Sequence, residues 1–98
     1  MEPNQQEIIT QTLDDLYRVL IPHPLRKQLN WELGTELTFV VSKNSLEFSA
    51  QEGGAYLIDD YGRVKLSKDL IATMGWNAGD KISILPQVSS KSVIFARE

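Results

Sequence analysis

The sequence predicts a mainly β fold with short helices, assembled from two tandem copies of one small unit. Three observations predict it. A shift of 45 residues superimposes the two halves of the chain. Short runs of β-forming residues alternate with Asp- and Gly-bearing turns. The chain has 98 residues and no cysteine, so units of about 45 residues, which seldom fold alone without a staple, must share one core.

The repeat is the strongest of the three. Asp14-Asp15 falls on Asp59-Asp60, Arg18-Val19 on Arg63-Val64, Leu25 on Leu70, Trp31 on Trp76 and Gly34 on Gly79. Between residues 13 and 40 this gives seven identities in 28 ungapped positions. The two matched tryptophans are the only ones in the chain. After Val40 the register slips by two residues, so that Phe48 pairs with Phe95. The division that follows is an N-terminal extension (1–11), a first repeat (12–50), a linker (51–54) and a second repeat (55–98), with one core shared between the repeats.

The elements are clearest in the second repeat. Ala55-Tyr56-Leu57-Ile58 reads as a strand, and Asp59-Asp60-Tyr61-Gly62 as a turn in which Asp bonds its own backbone and Gly supplies a positive φ. Arg63-Val64-Lys65-Leu66 alternates polar and apolar residues, as a half-buried strand does. Ser67 is an N-cap for a helix over Lys68–Met74, with Asp69 in its first turn, and Gly75 ends it. Asn77–Asp80 is a turn. Lys81–Leu85 is a strand stopped by Pro86, and Ser92–Ala96 is the closing strand.

The first repeat follows the same plan. Glu7–Leu13 leads into the Asp14–Tyr17 turn, and Arg18–Ile21 is the second strand. A short helix is expected over Leu25–Asn30, with Pro24 at its start. Glu36–Val41 and Ser45–Ala50 are the last strands. Leu16-Tyr17 stands where the second repeat has Tyr61-Gly62, so the first turn is expected to be built differently. Gln51–Gly54 is too short to let the halves behave as independent beads.

An apolar residue, then Asp-Asp-x-Gly-Arg-Val-x-Leu, a short helix and Gly-Trp-x-x-Gly-Asp-x-Ile resembles the AbrB/SpoVT/MazE superfamily. Leu57–Leu85 carries the pattern closely. Leu13–Val41 carries it in Arg18-Val19-Leu20-Ile21-Pro22 and Leu25-Arg26-Lys27-Gln28-Leu29. Ser67 departs from it, standing where the family favours proline. The resemblance implies a swapped-hairpin barrel formed from two tandem half-barrel repeats, each lending a hairpin to the other, as in MraZ-like members. It also implies a transcription regulator or the DNA-binding half of an antitoxin. Basic residues at the family's positions are Arg18, Arg26 and Lys27 in the first repeat, and Arg63, with Lys65 and Lys68 nearby, in the second.

Charge bears on that expectation from both sides. The net charge is −3, so binding by bulk charge is excluded and a local patch is required. Residues 16–28 hold Arg18, Arg26, Lys27 and His23 with no acid, and residues 61–68 hold Arg63, Lys65 and Lys68 with no acid. Alternation turns Arg18, Arg63 and Lys65 away from Val19 and Val64. Each arginine has a second reading, as a group that closes its turn by pairing with the preceding aspartates. The aspartate pairs themselves read as turn formers rather than catalytic or metal-binding carboxylates. Trp31 and Trp76 read as core, and His23 as a surface residue.

Other classes find little support. The chain has no nucleophile with a histidine partner, no phosphate-cradling glycine loop and no metal constellation, so neither an enzyme nor a cofactor is expected. Met1–Gln11 has no basic start or apolar run, and no stretch approaches a membrane span, so the expected location is the cytoplasm. The expected partners are double-stranded DNA and, where hairpins exchange between chains, a second copy. The alternative is an antitoxin-like or scaffold module that binds a protein. Arg97-Glu98 follow closely on the last strand, where such antitoxins carry a long tail.

Overall fold

The computed structural model describes residues 8–98, and residues 1–7 of the expected N-terminal extension lie outside the described residues. The elements in chain order are β1 (Ile9–Thr12), β2 (Arg18–Leu20), α1 (His23–Leu29), β3 (Glu36–Ser42), β4 (Ser45–Ala50), β5 (Tyr56–Leu57), β6 (Arg63–Lys65), α2 (Lys68–Met74), β7 (Lys81–Gln87) and β8 (Ser92–Arg97), with a 3₁₀ turn over Val88–Ser90. The protein is mainly β with two short helices and a curled, half-barrel sheet. Six strands form that sheet in the order β1-β7-β8-β4-β3-β5, and β2 pairs with β6 in a separate two-stranded ribbon.

The 45-residue shift carries β2 onto β6, α1 onto α2 and β3 onto β7 at both ends of each element. Strand pairing obeys the same shift. The first strand of the chain, β1, pairs antiparallel with β7, and β5 pairs with β3. Each half therefore lends its first strand to the sheet edge of the other. Paired backbone bonds repeat the exchange: Leu13 N–H donates to Asp80 O and Gly79 N–H to Leu13 O, while Ile58 N–H donates to Thr35 O and Gly34 N–H to Ile58 O. The β2–β6 ribbon is centred on Val19 opposite Val64, and Ile21 N–H and Leu66 N–H bond to Gly62 O and Tyr17 O beyond its ends.

Burial explains the exchange. Leu13, Val19, Ile21, Leu37, Leu46 and Phe48 are fully buried, as are Ile58, Val64, Ile82, Val93 and Phe95 at matching places in the second half. These residues form one cluster with both tryptophans. The Phe48 and Phe95 rings, one from each half, lie 4.9 Å apart.

Local chemistry sets the element ends. Ser67 Oγ accepts from Leu70 N–H at 3.1 Å, which caps α2, and Gly75 ends that helix with φ 71°. Helix α1 starts at His23, two residues earlier than Leu25, because Pro24 tolerates the first turn. No side chain caps it, and Asn30 ends it in the left-handed conformation at φ 59°.

Three other expectations change. β1 begins at Ile9, inside the stretch read as extension. β5 is reduced to two residues, and Ile58 makes an isolated bridge to Val64. Pro86 does not stop β7, which runs on to Gln87 with Pro86 opposite Val93. Lys81 O accepts from Glu98 N–H, so alternation turns the nitrogen of Pro86 away from β8. The proline, which has no N–H to give, therefore costs β7 no bond to β8.

Candidate nucleic-acid interface

The basic candidates lie on β2, on β6, in the last turn of α1 and at the start of α2, and the fold regroups them. In the ribbon, Arg18 lies directly opposite Lys65, and Leu20 opposite Arg63. Val19 and Val64 between them are buried, so all four flanking side chains occupy the outer face. Directly opposed residues have Cβ atoms about 5 Å apart, which makes Arg18 and Lys65 close neighbours of like charge.

Both arginines also serve their turns. Asp14 Oδ1 accepts from the N–H groups of Leu16 and Arg18, and its Oδ2 accepts from Arg18 Nε at 2.6 Å. Asp59 repeats this with Tyr61, Arg63 and Arg63 Nε, the last at 3.3 Å. In both carboxyls partial burial raises the pKa. The backbone N–H of the following arginine, then its side chain and charge together with a second backbone N–H, outweigh burial and hold each below its ordinary value. Only Nε of each arginine is engaged, and among the described residues the Nη groups of Arg18 and Arg63 make no protein hydrogen bond. The guanidinium of Arg63 also lies over the Tyr61 ring, 4.8 Å from its centre.

The two turns share one geometry, contrary to the expectation from sequence. Tyr17 N–H donates to Asp14 O as Gly62 N–H donates to Asp59 O. Tyr17 adopts φ 63° where Gly62 has 85°. The Asx bonds are strong enough to hold a tyrosine in the left-handed region, a conformation that costs a non-glycine residue about 1 kcal/mol.

The remaining cations cross between halves. Arg26 on α1 donates from Nε to Ile21 O at 2.9 Å. Its guanidinium rests on the turn of the other repeat, where a Cβ on Gly62 would lie 3.1–3.3 Å from it. Arg26 thus joins Arg63 at the second turn. Lys65 and Lys68 line a depression with Asp15, Leu16 and Tyr17 of the first turn, and Lys65 joins Arg18 across the ribbon. Lys27, exposed on α1, lies off the ribbon in a depression that Arg26 also lines, together with His23 and Glu32. Five of the six basic residues therefore form two clusters, each drawing on both repeats, at opposite ends of the ribbon.

Sequence reading missed the large apolar residues at the turn tips. Tyr61 is 74% exposed and Leu16 53%. Their position was a signal, since the tip of a tight turn has no core to enter. Trp31 and Trp76 are buried, as expected of core residues, and His23 is exposed. Among the described residues no group of three or more His, Cys, Asp or Glu could hold a metal ion, and no helix is long and apolar enough to cross a membrane.

Comparison with family models, curated proteins and solved structures returned no match.

Proposed function

We propose that this chain is a DNA-binding transcription regulator of the AbrB type, a tandem swapped-hairpin barrel that lays its β2–β6 ribbon and flanking turns against duplex DNA. The observation that carries the reading is the two-ended basic face: Arg18, Lys65 and Lys68 at one end of the ribbon, Arg63 and Arg26 at the other. A two-stranded ribbon fits the major groove. Lysines and free arginine Nη groups suit phosphate oxygens. The mutual loan of β1 and β5 is the exchange that a swapped-hairpin barrel requires, and it supports the resemblance carried by the two Asp-Asp…Arg-Val motifs.

Lys65→Ala/Lys68→Ala is the cleanest test, because both side chains are exposed and neither holds a turn. Binding to a random-sequence duplex should weaken steeply with salt. The variant should lose affinity and reduce the slope of log K against log salt by about 0.9 for each phosphate contact removed. Wild-type protein that binds no duplex at low salt would defeat the reading.

One observation favours a second reading, a scaffold or antitoxin-like module that binds a protein. Asp14 and Asp59 each offset an arginine of the basic face, in a chain whose net charge is already −3. The same salt series separates the two.

A further inference from the structure

A groove of about 550 Å³ opens beside the ribbon, between the first turn and β5. Its walls are apolar: Leu16, Leu57, Leu66 and the Tyr56 ring. Two cations, Arg18 and Lys65, stand along it. We propose that this groove binds a small amphipathic monoanion, a carboxylate or sulfonate on an apolar body, with the anionic head on Arg18 Nη and Lys65 Nζ and the body against Leu16, Leu57 and the Tyr56 ring.

Charge fixes the sign and number. Asp14 offsets Arg18, and Asp59, which also lines the groove, has its oxygens committed to the N–H groups of Tyr61 and Arg63 and to Arg63 Nε. One net positive charge, that of Lys65, is left. Arg18 and Lys65 face each other directly across the ribbon, so an anionic head placed between them meets both cations at once.

The apolar part is equally specific. Leu16 and Leu57 are 53% and 50% exposed, and neither contributes to the buried cluster. The Tyr56 wall is rigid. Its ring meets Phe39 and Phe48 edge-on at 5.3 and 5.7 Å, and its hydroxyl lies 3.1 Å from Ser67 Oγ. A wall fixed in advance lowers the ordering cost of binding.

The other half of the molecule serves as an internal control. At the positions related by 45 residues, Tyr56, Leu57 and Lys65 are replaced by Gln11, Thr12 and Leu20. The equivalent surface keeps apolar groups in Tyr61 and Leu20 but lacks the Tyr56–Leu57 wall and the second cation. The repeats diverge at the residues that make an amphipathic anion site. Arg18 and Lys65 also belong to the proposed DNA face, so an occupied groove would withhold both from phosphate. That consequence rests on the DNA-binding reading, whereas the site itself does not.

The test is a titration of the intact chain with 1-anilinonaphthalene-8-sulfonate, followed by displacement with decanoate and with decanol. Saturable fluorescence enhancement is expected, with decanoate displacing the dye about tenfold more effectively than decanol, the scale of one charge-assisted bond. Lys65→Ala should abolish that preference, Leu57→Asp should weaken dye and decanoate alike, and Lys43→Ala, far from the groove, should change nothing. Circular dichroism of each variant checks that the fold is retained. Equal displacement by decanol and decanoate, or a preference untouched by Lys65→Ala, would overturn the proposal. No DNA enters the experiment, so its failure leaves the DNA-binding reading standing, and the reverse.

Discussion

Asp14 and Asp59 each gather three donors at one turn, and this gives the turns a pH dependence with a definite sign. The donors hold both carboxyls below their ordinary value of 3.8. A depressed folded-state pKa contributes stability that is complete above the unfolded value and is lost as pH falls through the folded one. Thermal unfolding followed between about pH 6 and 2.5 should therefore show the midpoint falling most steeply below the ordinary carboxylate range. Asp14→Asn/Asp59→Asn keeps an acceptor oxygen for the Asx bonds but removes the charge. It should lower the midpoint at pH 6 and flatten the acid limb, and an unchanged limb would assign acid sensitivity to other carboxyls. At this scale the sequence was half legible. That Arg18 and Arg63 serve the turn follows from four-residue spacing to Asp14 and Asp59. That their Nη groups remain available, and that Arg26 lies on Gly62 of the other repeat, depends on side-chain direction and on a contact across the chain, which local patterns do not encode.

At the scale of the elements, the difference between α1 and α2 is one of capping. Ser67 satisfies a backbone donor of α2 and touches the Tyr56 hydroxyl, whereas Pro22 offers α1 no side-chain cap. Ser67→Ala should cost about 1 kcal/mol, the usual worth of such a cap. For a domain of this size that lowers the thermal midpoint by roughly 4–8 °C, and calorimetry checks it. A loss near zero would mean that Tyr56 or water replaces the cap. The same contrast explains what could be read in advance. Helix α2 was predicted to the residue because Ser67 and Gly75 announce its ends, while α1, bracketed by prolines and ended by Asn30, was displaced by two residues at its start. Strand β6 was legible from alternation, and β3 and β4 from their place in the shared plan of the repeats. The continuation of β7 through Pro86 was not, because whether a proline is tolerated depends on which edge its nitrogen faces, and that is a property of the sheet.

At the scale of the whole molecule, the 45-residue period was legible but the partner of each strand was not. Periodicity reports that β1 and β5 are equivalent. That β1 crosses to β7 and β5 to β3 is settled by where apolar area can be buried, since neither half closes a core alone. The exchange has a thermodynamic consequence. Phe48 of the first half and Phe95 of the second are both fully buried with their rings 4.9 Å apart, so damage to either half should destabilise the same cooperative unit. Phe48→Leu and Phe95→Leu should each cost about 1–2 kcal/mol and move one shared transition in urea. The double variant should be less destabilised than the sum by about 0.5–1.5 kcal/mol, the coupling of an aromatic pair in contact. Additive losses, or two resolved transitions each moved by one substitution, would mean that the halves fold independently. A single coupled transition would mean that the basic clusters at the two ends of the ribbon, each built from both repeats, form and are lost together with the core.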